Sequence, residues 1–131
     1  MIHLGDGIIP KIRNHGFFVD RGDLDSYDFT TPDFITDGKE HDLDLSRIVK
    51  KGAISVLLGT SVYGERPDSF ITFKPKENSN NINIALTGIT IKKVVTYLDL
   101  ICSIGRSRIL TYKATNTPWT WIYLYVKGWW V

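Results

Sequence analysis

Two aspartates, Asp42 and Asp44 in the stretch "HDLDLSRIV", are the first residues whose types and spacing could do chemistry. In an extended strand, residues two apart share a face, and a carboxylate pair there can help to bind calcium or carry acid–base work. The same alternation puts Leu43 and Leu45 on the opposite face, so the plainer reading is the solvated side of a half-buried strand. The histidines are His3, His15 and His41; none stands four residues from another, and no metal site is expected. Cys102 is the single cysteine, set in the apolar run "YLDLICSIG", where a buried, inert thiol is expected rather than a nucleophile. No nucleophile elbow, phosphate loop or dinucleotide glycine pattern occurs, and "GDG" at Gly5 to Gly7 reads as a turn. The expectation is a protein that is not an enzyme, with no catalytic residue and no cofactor. The tripeptide "RGD" at Arg21 to Asp23 reads as a tight turn in which Gly22 takes a positive φ.

The densest recognition chemistry lies in "PWTWIYLYVKGWWV", Pro118 to Val131, which holds all four tryptophans. In a strand, Trp119, Trp121, Tyr123 and Tyr125 point one way and Thr120, Ile122, Leu124 and Val126 the other. The aliphatic side is the natural core face. The aromatic side has three readings: a second sheet covers it, copies of the chain pack on it, or its rings stack on the apolar faces of sugars. Trp119, Trp121, Tyr123, Tyr125, Trp129 and Trp130 are the candidate binding residues.

The elements that must position these residues are strands. Asp42 to Leu45 alternates strictly. Ile54, Val56 and Leu58 alternate in "AISVLLG", and Ile71 and Phe73 stand opposite Phe70, Thr72 and Lys74 in "SFITFKP". "ENSNN" is a polar turn, and Ile82, Ile84 and Leu86 share a face after it, which predicts a hairpin. "KKVVTYLDLICSIG" places Val94, Tyr97, Leu98 and Ile101 at helical spacing, yet its β-branched and aromatic residues favour a strand. "RILTYKA" and the aromatic tail complete seven or eight strands at sandwich spacing. The first forty residues carry Gly5, Gly7, Pro10, Gly16, Gly22, Pro32 and Gly38, and few regular patterns. The predicted organisation is a loop-rich N-terminal arm, residues 1–35, that docks the protein, and one antiparallel, jelly-roll-like β-sandwich domain, residues 36–131.

At 131 residues the chain suits a single domain, and its formal charge of +2 lacks the basic stripe that nucleic acid requires. No window reaches eighteen apolar residues and the N-terminus does not read as a signal peptide, so synthesis in a cytoplasm and no membrane partner are expected.

Three stretches together resemble a family. Residues Asp20 to Leu58 hold "RGDLDSYDFT", "HDLDLSRIV" and "GAISVLL"; Phe73 to Asn83 hold "FKPKENSNNIN"; Arg108 to Trp130 hold "RILTYKATNTPWTWIYLYVKGWW". They are similar to recurrent patterns in small β-proteins of tailed bacteriophages, proviruses and environmental viral sequences. Lys39, Glu40 and Lys50 depart from that pattern, and the chain before Asp20 is not covered. The resemblance implies a virion-associated β-sandwich module, a capsid decoration protein or a fibre head, that binds other virion subunits and often forms homotrimers. It carries over no catalytic residue. The alternative is a receptor- or glycan-binding adhesion module that uses the aromatic strand. On the first reading, deleting residues 1–19 should abolish incorporation into particles and leave the fold intact.

Overall fold

Alternating side chains make strands pair only where one face can be buried, and here the pairings nest about the middle of the chain. The computed structural model describes residues 17–88 and 92–131. Its strands are β1 (Phe18–Asp20), β2 (Glu40–Asp44), β3 (Ser55–Gly64), β4 (Phe70–Pro75), β5 (Ala85–Gly88), β6 (Thr96–Ser103), β7 (Ile109–Ala114) and β8 (Trp119–Trp130). β4 pairs with β5, β3 with β6, β2 with β7 and β1 with β8, all antiparallel. The chain is one long hairpin. It is rolled so that β8 also lies against β3 and β7 against β4. Two four-stranded sheets result, ordered β1-β8-β3-β6 and β2-β7-β4-β5, and every connection but β4 to β5 passes from one sheet to the other. This is the antiparallel β-sandwich that the spacing of the strands predicts. No α-helix occurs among the described residues.

The core is what the period-two pattern dictates. Val56, Leu58 and Val62 of β3 and Ile122, Leu124 and Val126 of β8 face Leu43, Ile71, Phe73, Leu110 and Tyr112 of the other sheet, all buried. "TYLDLICS" is strand β6, as its residue types favour, and Val94, Tyr97, Leu98 and Ile101, the residues at helical spacing, are all exposed. The predicted hairpin is present as β4 and β5, and two of the alternating sets lie partly or wholly off the core. Ile54 lies just before β3 and is exposed, so only Val56 and Leu58 of that alternating set reach the core. Ile82, Ile84 and Leu86 are exposed as well, Ile82 by 90%. The buried residues of β5 are Ala85 and Thr87, because β5 is an edge strand that turns its small side chains inward beside Phe73 and Ile71.

Residues 17–35, which the sequence places in an arm, lie on the sandwich. β1 pairs Phe18, Val19 and Asp20 with Trp130, Trp129 and Gly128. Phe29 forms an isolated bridge with Leu124, and Phe34 is buried in the core. Residues 1–16 of the expected arm lie outside the described residues. Between these contacts, side chains seal the edge of β8 that β1 is too short to cover. The Asp28 carboxylate accepts from the Val126 backbone N–H at 2.8 Å and from the Arg21 guanidinium at 2.6 Å, and Arg21 donates onward to the Val126 carbonyl at 3.0 Å. The Thr31 hydroxyl accepts from the Ile122 N–H at 3.0 Å. An exposed strand edge invites pairing with foreign chains, and these groups close it. Arg21 of "RGD" is thus engaged in structure, and Gly22 has the expected positive φ, +80°.

Asp28→Ala leaves the Val126 N–H and the Arg21 guanidinium without their carboxylate and should cost about 1–3 kcal/mol in a urea titration. Asp23→Ala, on the exposed part of the same loop, should stay within about 0.5 kcal/mol of the parent; equal effects at the two positions would refute this role for Asp28.

Candidate functional site on the outer face of the first sheet

β3 runs between β8 and β6, so register lines up outward side chains in rows. Trp121 stands opposite Tyr63; Tyr123, Ser61 and Tyr97 form the next row; Tyr125, Gly59 and Asp99 the next. The second sheet does not cover this face, since it packs on the aliphatic side of β8. Part of the cover comes instead from the chain's own N-terminal segment. The Tyr27 ring stacks on Tyr123 at 4.9 Å between centroids and meets Tyr125 edge-on at 5.8 Å.

The tryptophans expected to bind are largely occupied. Trp121 lies parallel to Tyr123 at 5.8 Å and against Tyr63 at 4.9 Å, and its indole N–H donates to the Ser61 hydroxyl at 3.1 Å. Trp119 packs against the core and donates its indole N–H to the Thr115 carbonyl at 3.1 Å. A bulge in β8 at Lys127, where Leu57 pairs with Gly128 and Leu58 with Val126, reverses the alternation beyond it. Trp129 therefore turns into the core, 4% exposed, and Trp130 turns out against the Phe18 ring at 4.8 Å. Trp129 and Trp130 do not form a joint platform.

The open chemistry sits one row along. The Tyr125 ring lies across Gly59, and a β-carbon added there would collide with three of its ring atoms. Beside it the Lys127 ammonium donates to the Asp99 carboxylate at 2.8 Å and sits 5.8 Å from the centre of the Tyr125 ring. The hydrogen bond to Asp99 holds the Lys127 pKa above its ordinary value. Across the sheet Tyr97 is 71% exposed and Ile101 65%. Tyr27, Gly59, Tyr97, Asp99, Tyr125 and Lys127 line an open groove of about 520 Å³, within the range of small-ligand clefts. Of these, sequence reasoning singled out only Tyr125 for binding. Period two in "TYLDLIC" does place Tyr97, Asp99 and Ile101 on one face, but what lies across from them depends on a register that sequence does not state.

The other candidates are held elsewhere. Asp42 accepts from the Lys76 ammonium at 2.7 Å, and Asp44 accepts from the Ser46 N–H at 2.8 Å. Hydrogen bonds from Ser46 keep the Asp44 carboxyl below its usual pKa, while Asp42 raises that of Lys76. Both aspartates lie on the exposed face of β2, in the second sheet. His41 is 2.9 Å from Asp37, whose carboxyl that contact lowers. Among the described residues no three His, Cys, Asp or Glu side chains gather as a metal site, and no helix is long and apolar enough to cross a membrane. Cys102 is buried, and desolvation pushes its thiol up to about 12. No protein-family model, curated protein or solved structure matches the chain.

Trp129→Ala should cost about 3–5 kcal/mol as a core deletion, whereas Tyr97→Ala should change stability by less than about 0.5 kcal/mol. Chemical denaturation of both variants checks the assignment of one ring to the core and the other to the surface. Because the folded thiol pKa is raised, the stability tied to Cys102 is whole below the ordinary value of 9.0 and falls as pH rises from there towards about 12. Cys102→Ser should flatten that alkaline decline; an unchanged decline would place its cause in other groups.

Proposed function

We propose that the protein is a non-enzymatic structural subunit of a tailed-bacteriophage particle, a capsid decoration or fibre-head module made in the host cytoplasm and carried in the virion. Its partners would be other virion proteins and copies of itself, with a trimer as the favoured assembly. The single observation that carries this reading is the pairing order. We read a long hairpin rolled into sheets β1-β8-β3-β6 and β2-β7-β4-β5 as jelly-roll-like, an architecture used by viral capsid and lectin domains. Support from fold alone is analogy. The resemblance of residues 20–131 to small phage β-proteins adds to it, as does a sheet face whose rings and aliphatic side chains stand open as a contact surface. A second reading, glycan binding, is favoured by the groove beside Tyr125, where flat rings and a charged pair meet.

Antibody raised against the purified chain should label intact particles of the source virus in electron micrographs, on the head for a decoration protein and on the tail for a fibre head. No label on any particle would overturn the proposal. The docking role of the arm needs a shorter deletion than residues 1–19, because that cut removes Phe18 and Val19 from β1. Deleting residues 1–16 keeps the paired segment, and it should abolish incorporation into particles while leaving the melting curve unchanged. Normal incorporation of the truncated chain would end the docking idea.

A further inference from the structure

Most rings on the outer face of the first sheet spend their faces on one another. Trp121 is parallel to Tyr123, Tyr123 carries Tyr27, and Trp130 carries Phe18. Tyr125 differs. One face rests on the backbone of Gly59, where there is no side chain to yield, Tyr27 touches it only edge-on, and the Lys127 ammonium stands over the ring 5.8 Å from its centre, too far out to cover it. Tyr97 stands on the far side of the groove with no ring partner among the described residues. Between them lies a carboxylate hydrogen-bonded to an ammonium.

The combination restricts what can bind. Aromatic faces in an open groove favour a ligand with an apolar face of ring size, and a flat aliphatic ring edged with hydroxyls has one. The Asp99 carboxylate accepts and the Lys127 ammonium donates, 2.8 Å apart. Adjacent hydroxyls, each able both to donate and to accept, match such a pair, and hydrogen bonds to charged groups are the stronger kind. The two charges offset each other, so neither an anionic nor a cationic ligand is favoured over a neutral one. A peptide residue can offer a flat apolar ring, but not one edged with neighbouring hydroxyls.

We infer that the groove lined by Tyr27, Gly59, Tyr97, Asp99, Tyr125 and Lys127 is a binding site for a neutral hexopyranose unit of an oligosaccharide. Tyr125 and Tyr97 pack on the apolar faces of the sugar, and Asp99 with Lys127 holds neighbouring hydroxyls. Gly59 is a positioning residue: it lets the Tyr125 ring lie flat on the sheet. This deepens the glycan reading of the same face and moves the site from Trp119 and Trp121 to β6 and the centre of β8.

The test is saturation-transfer NMR on the purified full chain. The probes are methyl glycosides of glucose, galactose, mannose and N-acetylglucosamine, and the β1,4- and α1,4-linked oligosaccharides of glucose and of N-acetylglucosamine. Transfer to ring C–H protons of at least one sugar is expected, with affinity falling tenfold or more in Tyr97→Ala and in Asp99→Ala. Tyr97→Phe should keep most of it. Both Ala substitutions fall at exposed positions, so melting temperature should hold, and Gly59→Val should weaken binding by displacing the Tyr125 ring. The site is overturned if no probe shows transfer, or if Tyr97→Ala and Asp99→Ala bind as the parent does. It is equally overturned if the face instead drives a concentration-dependent dimer that Tyr97→Ala abolishes. The measurement is independent of particles: sugar binding by a chain that labels no virion would sink only the virion proposal, and a labelled virion protein without sugar binding would sink only this inference.

Discussion

The fold depends on covering one strand, β8, fully on its aliphatic face, partly on its aromatic face and along both edges. It is twelve residues long, with Ile122, Leu124 and Val126 on one side and Trp121, Tyr123 and Tyr125 on the other. A strand of that composition left open on any side would be an aggregation hazard. The aliphatic face meets the second sheet, one edge meets β3 along nearly its whole length, and the other edge is closed in pieces. β1 takes Gly128 to Trp130, the Asp28–Arg21 pair takes Val126, Phe29 takes Leu124, and Thr31 takes Ile122. The irregular look of the segment before Phe34 follows from this task. It satisfies backbone groups one at a time, with side chains and with single backbone bridges such as Phe29 to Leu124, which needs turns and short polar residues rather than a continuous strand.

The aromatic face is closed by a different means. Backbone pairing cannot cover a sheet face, and the second sheet is already committed to the other side. The rings therefore cover one another. Adjacent strand positions bring Trp121 and Tyr123 into parallel contact, Tyr63 flanks them from β3, and the loop that seals the edge lends Tyr27 on its way past. Offset and edge-to-face contacts between rings add stability beyond the area they bury. A single segment, Arg21 to Phe29, thus serves the edge and the face of the same strand, which ties the N-terminal residues to the sandwich more closely than their composition suggests.

Where the sequence was legible, period two was the reason. Leu43, Val56, Leu58, Ile71, Phe73, Ile122, Leu124 and Val126 are buried as their alternation requires, and the sandwich follows from the number of strands. Cys102 in its apolar run is buried too. The failures have physical causes. Ile82, Ile84 and Leu86 are all exposed, because an edge strand can bury Ala85 and Thr87 instead, and the pattern does not say which face wins. Trp129 and Trp130 sit beyond a bulge, and one extra residue exchanges inside for outside. The groove was less legible still. Tyr97, Asp99, Gly59 and Tyr125 meet only because β6, β3 and β8 are adjacent in that register, and no local pattern encodes pairings such as Gly59 with Asp99 and Gly59 with Tyr125, 40 and 66 residues apart.

That adjacency also explains why the open site falls where it does. At the Trp121 row, β3 contributes Tyr63, and ring meets ring. At the next row it contributes Ser61, whose hydroxyl holds the Trp121 indole in place. At the Tyr125 row it contributes Gly59, which has nothing to offer upward, so the ring folds down onto the backbone. A larger residue there would have propped Tyr125 upright against Tyr27 and extended the stack of closed rings. Instead the sheet surface drops, and the neighbouring edge strand supplies Tyr97 and Asp99 on the far side of the hollow. Among the described residues β6 has a partner strand on one side only, so its side chains are less crowded than those on β3 and β8. One glycine in the middle of the sheet, set beside a strand at the sheet's edge, thus turns a self-stacked aromatic face into one with a hollow.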